Sequence, residues 1–205
     1  MSQHAIDGTW GPPRMSLATW AALPDGAPGD LVDGQLVEEE VASPVHEVVI
    51  GSLLRLVGNW VAPRGGLVLG SGAKYAVRPP GHGRMADASA FFSGSRLPSR
   101  AALITTPPDL AIEVVSPSPR DGRRDRVEKL KEYASFGIRW YWVVDPALRS
   151  VEILELGADK RYVHALDVTE GVIDEVPGCG GMRLDLDGLW AEVDRLGPEV
   201  EGELG

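Results

Sequence analysis

Pro108-Asp109-Leu110-Ala111-Ile112-Glu113-Val114-Val115-Ser116-Pro117-Ser118 is a near-continuous apolar run set between proline-bearing turns. Residues of both parities are apolar from Leu110 to Val115, the pattern of a β-strand covered on both faces. Asp109 follows Pro107-Pro108 and reads as a strand-start cap. Glu113 is the exception within the strand. A carboxylate in that setting is paired, protonated or coordinating a cation, and pairing with a nearby arginine is the plain alternative to a chemical role.

Downstream of that strand, Arg123 to Phe136 has helical periodicity and ends at Gly137, the residue type that tolerates the left-handed C′ position. Trp140 to Val144 and Val151 to Leu156 then read as strands around the turn Asp145-Pro146, with Arg161 to Leu166 as a third. Upstream, Ser43-Pro44 supplies an N-cap and a first-turn proline. Val45, Val49, Leu53, Leu56 and Trp60 follow at helical spacing up to Pro63 and Gly65-Gly66. Asp33-Gly34 between Leu31-Val32 and Leu36-Val37 predicts a type I′ hairpin. Ser16 to Trp20 predicts a short capped helix, and Leu67 to Leu69, Lys74 to Val77 and Ala86 to Phe92 are β-prone. Helices interleaved with more than five strands specify a mixed α/β sheet domain. We expect it over 16–196, between an N-terminal tail, 1–15, and an acidic C-terminal tail, 197–205.

The composition narrows the function. The chain has 205 residues, 43% hydrophobic and 24% charged, enough to bury a core without staples. A single cysteine, Cys179, excludes an internal disulfide scaffold and a cysteine-rich zinc site. No apolar run reaches the roughly 20 residues of a bilayer span, and the start lacks a signal pattern, so a soluble cytoplasmic protein without a membrane partner is expected. The net charge of −10 is unevenly spread: residues 1–47 hold one basic and eight acidic side chains, residues 185–205 one and seven. The body between them is mildly basic, and a polyanion senses that local field.

Three side chains stand out chemically. Asp87 lies in the β-prone run from Ala86, where an unpaired buried carboxylate would cost several kcal/mol; capping a turn is its bland reading. Strand alternation puts it on the face shared with Ser89 and Phe91. On the 123–136 helix, Val127, Leu130 and Ala134 form an apolar stripe, while Asp125, Glu128, Lys131, Glu132 and Ser135 form the wet one. Lys129 belongs to neither, and its stem packs between Tyr133 and Phe136 with its ammonium inward or snorkelling outward. Two carboxylates on adjacent strands and a lysine on the covering helix suit metal-assisted phosphodiester cleavage: hard oxygens of Asp87 and Glu113 for Mg²⁺ or Mn²⁺, Lys129 for developing negative charge. Arg120, Arg123, Arg124 and Arg126 form a basic cluster able to meet a phosphate backbone or simply to be solvated. His46 is the one histidine placed to join a site.

These residues resemble a known family. The run Pro108 to Ser118, Glu128-Lys129-Leu130-Lys131-Glu132-Tyr133-Ala134-Ser135-Phe136-Gly137-Ile138, and Tyr141-Trp142-Val143-Val144-Asp145-Pro146 look like the Uma-type restriction endonuclease family of the PD-(D/E)XK nuclease superfamily. The hairpin Leu31 to Glu38 and His46 resemble its amino-terminal signature. The resemblance implies an α/β, restriction-endonuclease-like mixed β-sheet core flanked by helices, and a metal-dependent DNA endonuclease built from Asp87, Glu113 and Lys129. It adds Glu38 as a further acidic residue at the edge of that site. Met85-Ala86-Asp87 replaces the usual Pro-Asp pair, Val115 stands where the superfamily often has lysine, and Gln35 stands where relatives have glutamate. DNA is the implied partner. A homodimer is expected because two copies cut two strands and Trp140 to Val144 offers apolar surface. The competing readings are a catalytically inactive nuclease-fold interaction module and, less favoured, a glycosidase using Glu113.

Overall fold

The computed structural model describes residues 14–24, 29–37, 42–116 and 124–197. The expected tails therefore lie almost wholly outside the described residues, as do Glu38, Arg120 and Arg123. Helix α1 (Leu17–Ala21) is capped by Ser16, whose hydroxyl accepts from Thr19 N–H. Strands β1 (Asp30–Val32) and β2 (Gln35–Val37) pair as the expected hairpin. Asp33 and Gly34 turn it with φ of 49° and 76°, the positive pair a type I′ turn requires. Helix α2 (Pro44–Val61) starts at Ser43, which accepts from His46 N–H.

After α2 come β3 (Leu67–Gly70), β4 (Lys74–Arg78), β5 (His82–Met85), β6 (Ala88–Phe91), β7 (Leu103–Ile104) and β8 (Leu110–Val114). A π-helical turn, Arg124–Lys129, leads into α3 (Leu130–Phe136), which ends at Gly137 with φ 101°. Strands β9 (Trp140–Asp145), β10 (Ser150–Leu156) and β11 (Tyr162–Val168) follow, then β12 (Val172–Ile173), β13 (Leu184–Asp185) and α4 (Leu186–Val193).

The strands form a six-stranded sheet, β11-β10-β9-β8-β6-β3, a five-stranded sheet, β2-β1-β5-β4-β7, and the small ribbon β12-β13. Both large sheets are mixed: β8 runs parallel to β9 and β4 to β7, while the other pairings are antiparallel. The six-stranded sheet is covered on both faces. Val49, Leu53 and Val57 of α2 and Leu189 and Trp190 of α4 pack with Ile112, Val114 and Trp142 on one face. Tyr133 of α3 and Tyr75 and Val77 of β4 pack with Ala111, Tyr141 and Val143 on the other. This double cover is why the strand from Leu110 is apolar at both parities.

Several expectations change. Asp87 is not inside a strand; it sits at a bend after β5, where the chain leaves one large sheet and enters the other at β6. Val127 is 40% exposed, off the expected apolar stripe. The wider π turn places residues differently around the axis from an α-helical step of about 100°. Trp140 to Val144 offers no dimer surface, because β9 is buried throughout between β8 and β10. No helix among the described residues is long and apolar enough to cross a membrane.

Trp142, fully buried on β9, carries a direct test of this core. Trp142→Ala is expected to lower unfolding free energy by about 3–5 kcal/mol in urea titrations. Leu148→Ala, at a site 67% exposed, is expected to stay within about 0.5 kcal/mol of the parent; equal losses would contradict the packing described.

Candidate active site

Glu113 points from β8 to the face shared with Ala111 and Val115, under α3, and is 1% exposed. Lys129 Nζ donates to Glu113 Oε2 at 2.8 Å, and Tyr133 Oη donates to Oε1 at 2.6 Å. Lys129 and Tyr133 are four residues apart, the spacing that puts two helical side chains above one target. Lys129 is itself 2% exposed. Its ammonium is thus turned inward, and the snorkelling alternative is set aside. Burial and the Glu113 charge raise the Tyr133 phenol well above its usual range, so it stays a hydrogen-bond donor.

Asp87 completes the group. Strand β6 pairs with β8 through Ala88↔Ile112, so one step back along β6 puts Asp87 level with Glu113. Its Oδ2 accepts from Val114 N–H at 2.7 Å, tying the carboxylate to the residue after Glu113. His46, at the start of α2, reaches the same oxygen with Nε2 at 3.2 Å. Burial pushes the Asp87 carboxyl up, but the His46 hydrogen bond, the charges of Lys129 and His46 and the Val114 N–H outweigh it and hold it below the ordinary aspartate value. Burial works against charge on His46 too, and Asp87 and Glu47 outweigh it, so His46 is raised. Asp87 and His46 stabilise one another's charged forms.

The donor set suits a hard divalent cation. Asp87 Oδ1 takes no hydrogen bond among the described residues, and the side chain retains 17% exposure. Among the described residues no three His, Cys, Asp or Glu side chains gather into a closed metal cage.

The other sequence candidates fare differently. Arg126 lies against carboxylates: Nη2 donates to Asp145 Oδ2 at 3.0 Å and Nη1 to Glu152. Its charge is largely answered within the protein. Glu38, Arg120 and Arg123 fall outside the described residues, as does the Arg124 side chain. Sequence reasoning missed Tyr133 as a partner of Glu113, although its spacing from Lys129 was a usable signal.

The family model described as Uma2, "Putative restriction endonuclease", matches residues 19–187, so the chain belongs to that family. A solved structure titled as a putative nuclease belonging to DUF820 from Anabaena variabilis has a similar fold: TM-score 0.68 at 16% identity, over 87% of this chain and 99% of that one. A comparison with curated proteins finds no match.

The Glu113–Lys129 contact predicts a distinctive stability pattern. Lys129→Met removes the ammonium from a buried carboxylate and is expected to cost about 3–5 kcal/mol, whereas the double variant Glu113→Gln/Lys129→Met regains most of that loss. Denaturant titration of the three proteins measures it; additive losses would contradict a coupled buried pair.

Proposed function

We propose that the chain is a metal-dependent endonuclease that hydrolyses phosphodiester bonds in DNA, with Asp87 and Glu113 holding Mg²⁺ or Mn²⁺. The observation that supports this most is the meeting of two carboxylates from adjacent chain segments with a buried lysine at the carboxyl end of β8. When bound, a divalent ion there lowers the pKa of an attacking water. Lys129 is then the charged donor for negative charge growing on the phosphoryl oxygens. Tyr133 and Lys129 fix the rotamer of Glu113, and Val114 N–H and His46 fix that of Asp87. Family membership supports a nuclease, and the resemblance supplies Glu38 as a further acidic side chain at the edge of the site. Arg120, Arg123 and Arg124 carry the proposed contact with the phosphate backbone. A DNA substrate puts the work in the cytoplasm, and two copies acting on opposite strands make a homodimer the fitting assembly.

A second reading has an observation of its own. Both oxygens of Glu113 already accept hydrogen bonds from neighbours on the helix, as they would in a structural ion pair of a noncatalytic interaction module.

Cleavage of supercoiled and linear DNA with Mg²⁺ or Mn²⁺ separates the two. The nuclease reading expects metal-dependent nicking, loss of metal-binding heat in calorimetry for Asp87→Ala, and a fall in kcat of about 10²-fold or more for Lys129→Met. Absence of metal binding to the parent protein would favour the module. Sedimentation at micromolar concentration is expected to give twice the 22.0 kDa chain mass; a monomer removes the homodimer.

A further inference from the structure

Glu132 lies on α3 three residues after Lys129 and next to Tyr133, the two residues that hold Glu113. Helical periodicity puts it on the wet stripe, yet its side chain is only 11% exposed and both carboxylate oxygens are engaged. Oε2 accepts from Arg84 Nε at 2.6 Å, and Oε1 lies 2.8 Å from His82 Nδ1. Arg84, on β5, has no solvent exposure. Its Nη1 donates to Asp30 Oδ2 at 2.8 Å, and Asp30, equally buried, accepts from Met85 N–H through its other oxygen. The far nitrogen of His82 lies 2.8 Å from Asp33 Oδ1 in the hairpin turn. A desolvated guanidinium therefore joins the five-stranded sheet to the helix that carries Lys129.

Desolvating these charges is costly, and such pairs are poor stabilisers compared with an apolar contact of equal volume. What the arrangement supplies is direction. Core packing of Tyr133 and burial of Ala134 orient α3 against the sheet, while the π-helical turn before it, which ends at Lys129, departs from the ordinary α-helical ladder. A charge-assisted hydrogen bond from Arg84 Nε on β5 to Glu132 Oε2, with His82 on the other oxygen, adds a directional constraint on the rotation of α3 about its axis. Lys129 and Tyr133 then inherit that setting, one turn before and one residue after.

We propose that Glu132, clamped by Arg84, is a positioning residue that sets Lys129 and Tyr133 against Glu113. The kinetic part rests on the nuclease reading; the conformational part does not. Three variants test it: Glu132→Ala, Glu132→Gln, whose amide oxygen can still accept from Arg84, and Leu189→Ala, a core truncation on α4 remote from the clamp. Hydrogen exchange in residues 130–136 is expected to be at least about tenfold faster in Glu132→Ala, with Glu132→Gln within about twofold of the parent. For DNA cleavage with Mn²⁺, Glu132→Ala is expected to lower kcat about 10²-fold with KM within about twofold, as a misplacement of about 1 Å can do. Glu132→Gln restores most of it, and Leu189→Ala loses stability but keeps kcat.

Unchanged exchange in Glu132→Ala, or a kcat no lower than that of Leu189→Ala, would overturn the proposal. If the parent cleaves no DNA, the nuclease reading fails alone. A crystal structure of Glu132→Ala then decides the clamp: a broken Lys129–Glu113 contact upholds it, and an intact one at 2.8 Å overturns it.

Discussion

One buried carboxylate organises this protein. Glu113 sits on a central strand with almost no access to water, and a charge there is tolerable only if the protein supplies what water would have supplied. The helix over the sheet does so with an ammonium and a phenol four residues apart. That demand explains why a helix with a mostly wet outer face carries Lys129 and Tyr133 inward, and why β8 must sit beneath it with cover on both sides. The same contact leaves the candidate site rigid, since neither side chain has solvent to relax into.

The second constraint is the passage between the two large sheets. Asp87 occupies the bend where the chain leaves β5 and starts β6, and a bend exposes backbone and side chain that a strand would bury. The carboxylate accepts from Val114 N–H and so joins the crossing point to the end of β8. His46 comes from the beginning of α2, where the Ser43 cap fixes the direction of the first turn. Segments from three parts of the chain meet at the carboxyl end of β8, beside the parallel strand β9. Ligand sites of open α/β sheets commonly lie at carboxyl ends of strands.

Much of the frame was legible because its signals are local. Asp33-Gly34 demands a tight hairpin, Ser43-Pro44 starts a helix, Gly137 stops one, and the apolar run from Leu110 to Val115 announces double cover. Lys129 was legible by exclusion, belonging to neither stripe of its helix. What escaped was set by tertiary structure. His82 to Met85 reads as polar and glycine-bearing, yet it forms a strand paired with β1 and β4, in which Gly83 leaves room for Trp20; an added Cβ would come within 2.3 Å of that ring. Glu132 looks solvated until Arg84, some fifty residues away in sequence, is placed beside it. Val127 left its stripe because the turn that carries it is π-helical. Helix α4 was not expected, and its Leu189 and Trp190 complete the cover over β8 and β9.

Asp87 and Glu113 are proposed as ligands of one divalent ion rather than two separately neutralised carboxylates. Anomalous diffraction from crystals soaked in Mn²⁺ addresses it most directly. A manganese peak within coordination distance of an oxygen of each carboxylate is expected. A peak elsewhere, or no peak at saturating Mn²⁺ with the Glu113–Lys129 contact intact, would contradict it.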